Sequence, residues 1–194
     1  MSLVYRLMYR LGFTPWDAGV PAELVEIITG PESLPAGRAL DMGSGKGGKS
    51  VFMAQHGWRV TAVENVPRAM REARRRADRA GVRIDFREGD VTRLADLDLE
   101  PGYSLVFDFG CYHGLSSSQR AAYARGVNAV AAPGATLLLM GFTRALPPVP
   151  RGVSESELQQ LLGEEWRPVA VRPVSSGTSA MSRARAEWFR FRRL

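Results

Sequence analysis

Along this chain apolar positions switch between helical and strand periods, and the switches mark its elements. Leu3, Val4, Leu7, Met8 and Leu11 recur at helical spacing with Arg6 and Arg10 opposite, which predicts a short amphipathic helix ended by Gly12. Phe13 to Pro21 is too rich in Pro and Gly to be regular, and a helix through Glu23 to Ile28 follows. After a Pro/Gly turn at Pro31 to Gly37, Ala39-Leu40 begins a strand that Asp41 closes. Val51, Phe52 and Ala54 then mark the apolar side of a helix ended by Gly57. Trp58 to Val63 reads as a second strand, stopping at Glu64-Asn65. Pro67 opens a helix at its first turn, where a missing N–H costs nothing.

The second half repeats the alternation. Arg83 to Glu88 forms a third strand with Ile84 and Phe86 on one face, and Leu105 to Phe107 a short apolar fourth strand ending at Asp108. A helix from Ser117 to Ala131 precedes a Pro133-Gly134 turn and a fifth strand over Thr136 to Met140. Pro147, Pro148 and Pro150 make a stiff connection, and Ser154 with Glu157 opens a helix by a capping box. Trp166 to Val174 and Ala186 to Arg192 alternate as two final strands, and the Gly177 to Arg185 link suits an antiparallel pair but not a helical crossover. Strand and helix alternating through five strands predict an α/β, doubly wound parallel sheet whose ligands sit at the strand carboxyl ends.

Composition narrows the class. At 194 residues the chain suits one domain with a proper core, and 45% apolar with 24% charged residues is ordinary for a globular protein. One cysteine, Cys111, excludes an intrachain disulfide and a Cys-based zinc site and predicts a reducing, cytoplasmic setting. Arg6 and Arg10 interrupt any signal-peptide core, and no apolar run is long enough to span a membrane. The net charge of +6 is mostly arginine. Met70, Ala73, Ala77 and Ala80 predict the inner face of the 67–80 helix, so its six arginines read as a solvated outer stripe, with a nucleic-acid surface as the alternative.

The chemistry concentrates in Arg38 to Ser50, where an apolar run ends in an acid and breaks into four glycines and a Lys-Ser pair. Gly43, Gly45 and Gly48 satisfy GxGxxG, the dinucleotide fingerprint, while Gly43 through Gly48-Lys49-Ser50 satisfies the P-loop pattern GxxxxGK[ST]. In the P-loop reading Lys49 and Ser50 would serve phosphates and Mg²⁺, and Asp108 would act as the Walker B acid. Against it, Asp41 stands just ahead of the loop, and Glu64 and Asp90 add acids at neighbouring strand ends. Carboxylates there would repel a triphosphate and suit a ligand carrying a sulfonium, an ammonium and hydroxyls. Lys49 is then expected as an exposed residue of the first helical turn and Ser50 as an ordinary helix residue. Glu64 lies 21 residues after Gly43, where a nucleotide-binding unit places the acid that receives ribose hydroxyls.

Asp41, Gly43, Gly45 and Gly47 also satisfy DxGxGxG, which resembles motif I of the class I S-adenosylmethionine-dependent methyltransferases. Pro15-Trp16-Asp17, Gly19 and Pro21 ahead of it resemble the PWDxGxP pattern of the thiopurine and halide/thiol methyltransferases, which act on small molecules. The resemblance covers essentially the whole chain. It implies a Rossmann-like, mostly parallel seven-stranded sheet with a C-terminal antiparallel strand pair and helices on both faces. It also implies one domain over 1–194: an N-terminal lid and cofactor-covering loop at 1–36, a cofactor-binding core at 37–145, and a substrate-side loop, helix and strand pair at 146–194.

Carried over residue by residue, the resemblance places Gly43, Ser44, Gly45 and Gly47 along the amino-acid part of S-adenosylmethionine, with Asp41 holding its ammonium. Glu64 takes the ribose and Asp90 the adenine amine, with Asn65 and Val91 flanking the ring. Trp16 and Phe109 face the sulfonium or adenine, since aromatic faces attract cations. His113, in the Gly110-Cys111-Tyr112-His113 run after the fourth strand, is the candidate general base or else a packing histidine; Cys111 reads as a small buried residue. No Asn-Pro-Pro-aromatic run follows that strand, which argues against methylation of nucleic-acid bases. The expected acceptor is a small molecule carrying S, O, N or halide, with S-adenosyl-L-homocysteine as the other product, no metal, and a monomer or homodimer. RNA acting through the arginine stripe is the alternative acceptor.

Overall fold

The computed structural model describes residues 19–144, 152–174 and 185–194. The helix expected over Leu3 to Leu11, Trp16 with Asp17, and the three prolines from Pro147 to Pro150 lie outside these ranges. In chain order the elements are α1 (Ala22–Thr29), β1 (Arg38–Met42), α2 (Gly48–Gln55), β2 (Arg59–Glu64), α3 (Pro67–Ala80) and β3 (Asp85–Glu88). They continue with β4 (Tyr103–Phe109), α4 (Ser117–Val130), β5 (Ala131–Phe142), α5 (Glu155–Leu162), β6 (Trp166–Pro173) and β7 (Ala186–Arg193). Short 3-10 turns stand at Leu94–Leu97 and Tyr112–Gly114.

The strands form one seven-stranded sheet in the order β3-β2-β1-β4-β5-β7-β6, so the Rossmann-like arrangement expected above is observed. β1 to β5 pair in parallel, and β7 inserts antiparallel between β5 and β6. The chain starts at β1 in the middle and runs outward to β3, then returns to β4 beside β1. The carboxyl ends of β1 and β4 therefore diverge at the crevice where open α/β sheets receive ligands.

Alternation along each strand sends neighbouring side chains to opposite faces. Leu40, Met42, Val106, Leu137, Leu139, Phe189 and Phe191 join a core with Tyr123 and Val127 of α4 and Leu158 and Leu162 of α5. Ala39, Leu105, Phe107, Leu138, Met140 and Trp188 pack instead with Leu24 and Ile27 of α1 and Met53 of α2. In α3, Ala69, Met70, Ala73 and Ala77 are buried, and five of its arginines are exposed with Arg76 half-buried, which matches the solvated stripe.

Two details differ from the sequence reading. Pro133-Gly134 is not a turn ahead of β5 but lies within it: Ala131 pairs with Tyr103 and Thr136 with Leu105, so five residues of β5 step against two of β4. Gly134 takes a positive φ of 74° in that irregularity. The reciprocal capping box belongs to α4, where the Gln119 N–H donates to Ser116 Oγ and the Ser116 N–H to Gln119 Oε1. On α5, Ser154 Oγ accepts the Glu157 N–H.

Asn128 joins α4, α5 and β6 at the far end of the molecule. Its Nδ2 donates to Leu162 O at 2.9 Å and its Oδ1 accepts from Trp166 Nε1 at 2.8 Å. Asn128→Ala strands an indole N–H and a carbonyl, so chemical denaturation should show a loss of about 2 kcal/mol with the denaturant slope unchanged.

Candidate functional site

Each of the first four strands delivers an acid at or just beyond its carboxyl end, and each acid holds the turn that follows. Asp41 of β1 is buried, and its Oδ2 accepts the Ser50 hydroxyl at 2.5 Å, tying the strand to the first turn of α2. Glu64 of β2 accepts the Asn65 and Val66 N–H groups on Oε1 and the Gly45 N–H on Oε2. Asp90, two residues past β3, accepts both the N–H and the hydroxyl of Thr92 on Oδ1. Asp108 of β4 accepts the Cys111 and Tyr112 N–H groups and the Tyr123 hydroxyl.

Burial shifts these groups. Asp41 is pushed up to about 6 by desolvation, against the pull of the Ser50 hydroxyl and the Lys49 ammonium. Desolvation likewise raises Glu64, opposed by its three backbone donors, and pushes Asp108 up to about 7 against the Cys111 N–H and the Tyr123 hydroxyl. Half-buried Asp90 goes the other way: burial would raise it, but the Thr92 donors outweigh that and leave it lowered.

The glycine loop is shaped by the same demands. Gly43, Gly45 and Gly47 all have positive φ, 75°, 56° and 73°, a region that favours glycine and explains the alternating DxGxGxG spacing. Close approach adds a second reason: a Cβ at Gly43 would stand 2.9 Å from Cys111 Cβ, and one at Gly47 2.8 Å from Ala73 Cβ. The loop N–H groups are turned inward. Gly43 and Ser44 donate to Val63 O, Gly45 to Glu64, and Gly47 to Ser44 O. A phosphate cradle needs those donors free, so the P-loop reading finds no support, and Ser50 is already bonded to Asp41.

Lys49 and Ser50 correct the sequence reading. Neither is exposed: both are buried, with Lys49 Nζ 4.6 Å above the centroid of the Phe109 ring. Phe109, expected beside the sulfonium or adenine, is half-buried and tilts against Trp188 at 5.7 Å. Val91 turns its side chain into the core, leaving its backbone beside Asp90, and Asn65 is half-buried next to Glu64. Trp16 lies outside the described residues.

His113 is almost fully buried and stacks on Phe142 with ring centroids 4.4 Å apart. Desolvation first, and the Arg120 charge second, push it down to about 4, so its imidazole is neutral at pH 7. Cys111 packs against Gly43, its thiol pushed well up by burial and then by Asp108.

Sequence reasoning missed two groups. In the sequence Asp108 reads only as a Walker B acid, yet in the structure it anchors the turn carrying Cys111 and Tyr112. Arg120 is fully buried and pairs with Glu157 at 2.6 Å while donating to the carbonyls of Leu115, Gly152 and His113. The signal for it was available: Arg120, Tyr123, Ala124 and Val127 share one helical face.

The arrangement suits an adenosyl sulfonium. One lone-pair position on Glu64 Oε2 remains after Gly45, Asp90 keeps Oδ2, and the buried Ser44 Oγ has no hydrogen-bond partner. An orphaned hydroxyl inside a loop of glycines, ringed by carboxylates, matches the hydroxyls and ammonium of S-adenosylmethionine.

Comparisons agree. A family model described as a methyltransferase domain matches residues 39–134. The 2-heptyl-1-hydroxyquinolin-4(1H)-one methyltransferase of Mycobacteroides abscessus is 26% identical over 82% of this chain and 71% of its own length. A ubiquinone biosynthesis O-methyltransferase of Xanthomonas campestris is 32% identical over 41% of this chain, and only 37% of that protein is covered. Among solved structures, Burkholderia thailandensis 1,6-didemethyltoxoflavin-N1-methyltransferase with bound 1,6-didemethyltoxoflavin and S-adenosylhomocysteine has a TM-score of 0.75 and 23% identity, covering 98% of this chain and 85% of that one. Among the described residues no helix is long and apolar enough to cross a membrane.

Asp41 supplies a test of the buried carboxylate. In the unfolded chain it ionises near 3.8, in the fold near 6, so its contribution to stability is complete below about pH 4 and lost as pH rises through about 6. Asp41→Asn removes that loss while keeping an acceptor for Ser50. Denaturation curves from pH 4 to 7.5 should show the variant gaining on the parent as pH rises.

Proposed function

We propose that this chain, a class I S-adenosylmethionine-dependent methyltransferase, transfers its methyl group to a small-molecule acceptor bound beside the carboxyl ends of β4 and β5. The observation that carries the reading is the ring of strand-end carboxylates around an inward-turned glycine loop. When bound, S-adenosylmethionine supplies a sulfonium-activated methyl group that is displaced in line.

In this reading residues 37–145 form the cofactor core, and the flanking segments 1–36 and 146–194 cover the acceptor. Glu64 and Asp90 orient the nucleoside, Asp41 and the Gly43 to Gly47 loop the amino-acid part, and Phe109 lines the methyl end. Because Asp41 and Glu64 are already bonded to the protein, they are fixed before ligand arrives, which limits the ordering cost of binding. Methyl displacement gains most from such alignment and from exclusion of water.

Neutral His113 is the proposed base for acceptors that arrive protonated. Lowered to about 4, it stands unprotonated at pH 7 with a lone pair to accept a proton, and for ionised acceptors it is dispensable. Relatives named for a hydroxyquinolone, for ubiquinone biosynthesis and for a toxoflavin precursor support a small molecule as acceptor. The narrower likeness to thiopurine and halide/thiol enzymes rests on Pro15 to Pro21, and in this reading Trp16 closes over the cofactor.

Calorimetry should find S-adenosylhomocysteine bound, with ATP–Mg²⁺ and NAD silent. Glu64→Gln should weaken that binding about 10- to 100-fold, the range of a charge-assisted hydrogen bond. Triphosphate binding without a response to S-adenosylhomocysteine would overturn the assignment. His113→Ala should slow a weakly acidic hydroxyl acceptor and spare an ionised one; equal turnover of both by variant and parent rules out the base.

A further inference from the structure

β7 alternates Trp188, Arg190 and Arg192 with Phe189 and Phe191, and because it runs antiparallel to β5 its first residues lie beside the carboxyl end of β5. Trp188 pairs there with Met140, and Met140 pairs with Phe109, the last residue of β4. Phe109, Met140 and Trp188 thus form one row across three strands. Neighbouring strands stand about 4.8 Å apart, so Phe109 and Trp188 are separated by roughly 10 Å at the backbone. Their ring centroids are only 5.7 Å apart, so the two side chains lean toward each other across Met140. The indole is carried from β7 toward the end of β4, where Phe109 lines the methyl end in the reading above.

In that position the indole has one unmet demand. Trp188 is 2% exposed, and its Nε1–H has no hydrogen-bond partner among the described residues. Phe107 and Phe109 lie at 30° and 36° to its plane, too near parallel for an in-plane N–H to strike either ring face. Leu24, Ile27, Leu138 and Met140, which complete the surroundings, bring hydrocarbon and a thioether. A buried donor without an acceptor has given up its hydration for nothing, and a ligand atom that meets it accounts for its presence.

The same corner holds the candidate base. A Cβ on Gly110 would stand 2.9 Å from His113 Cε1 and 3.2 Å from Met140 Cε, so His113 and the Trp188 row meet over a residue without a side chain. His113 stacks on Phe142, two residues beyond Met140 on β5 and therefore on the same face. Phe109, Trp188 and the His113–Phe142 stack give the corner aromatic surfaces that match a flat ring.

Resting on the small-molecule reading above, we propose that Trp188 is a specificity-determining residue whose Nε1–H holds a carbonyl oxygen of the acceptor, making that acceptor an aryl carbonyl compound methylated at a second heteroatom. The choice of carbonyl follows from what surrounds the indole. A hydroxyl or an amine would accept from Nε1–H but bring a proton of its own into hydrocarbon. A carboxylate would be stripped of water against a single neutral donor. A carbonyl accepts and donates nothing, so one N–H satisfies it. The same ring without the oxygen leaves the indole bare again, which is how a site built around a hydrogen bond rejects a close analogue.

The test uses the full chain, S-adenosylmethionine and three matched pairs: 4-hydroxyacetophenone with 4-ethylphenol, 4-aminoacetophenone with 4-ethylaniline, and 4-mercaptoacetophenone with 4-ethylthiophenol. tRNA completes the panel. In the methylated pair the carbonyl member should have a KM about 5-fold or more below that of its ethyl partner. Trp188→Phe keeps an aromatic ring and removes the N–H, and it should bring the two KM values within about 2-fold while the S-adenosylhomocysteine Kd changes less than about 3-fold. Comparing the ratio between parent and variant cancels the carbonyl's effect on the acidity of the second heteroatom. A second measurement needs no change at Trp188: the chain has four tryptophans, and replacing the other three in turn assigns its indole signal in ¹⁵N-tryptophan-labelled protein. With S-adenosylhomocysteine bound, that N–H signal should move downfield on adding the carbonyl member and stay in place with the ethyl member. A preference that survives Trp188→Phe, or an indole signal that answers both members alike, overturns the proposal. Preference for the ethyl members overturns it too. Failure of all six rings does the same, and methyl gain by tRNA in that case also overturns the small-molecule reading beneath it.

Discussion

The site depends on one constraint: a carboxylate buried at the end of a central strand must be met by donors, and the nearest donors are those of the turn that follows. Asp41, Glu64 and Asp108 each satisfy this within the next ten residues, Glu64 also reaches the Gly45 N–H across strands, and half-buried Asp90, just past the edge strand β3, holds its own turn in the same way. Four loops that would otherwise fray are thereby held along one edge of the sheet. An ion or hydrogen bond broken there leaves a buried charge unpaired, so the arrangement is stiff because its alternatives are expensive.

A second buried network secures the opposite helices. Arg120 draws the carbonyls of Leu115, Gly152 and His113 to one guanidinium and closes on Glu157 of α5, with the Tyr112 ring against it. The segment after β4 is thus fixed from two sides, by Asp108 below and Arg120 above. His113 is neutral because it shares that enclosure. Its burial and the Arg120 charge act in the same direction, and together they keep the ring uncharged at pH 7.

The strand and helix order, the parallel core and the terminal antiparallel pair were legible because alternation at periods of two and 3.6 is a local property, and turn residues punctuate it. The acids at the strand ends were legible for the same reason, since an acid closing an apolar run needs a use. Exposure was not. Lys49 sits in a pattern that suits a solvated helix start, and nothing within its neighbours on the chain says that Phe109, sixty residues on, will lie beneath it. The register slip at Pro133-Gly134 escaped likewise, because a turn and a bulge share the same residues and only pairing with β4 separates them.

By itself the sequence determined the fold class, the glycine loop and the acids around it, because each is written in short-range spacing and in backbone conformations that few residues other than glycine adopt. The tertiary structure decided which way the loop's N–H groups point, that Lys49 and Ser50 are buried, that Asp108 and Arg120 are structural anchors, and that Phe109, Met140 and Trp188 form one row. Those are contacts between segments distant along the chain, and packing against a particular partner in a low-dielectric interior, not residue type, sets their geometry and their charge.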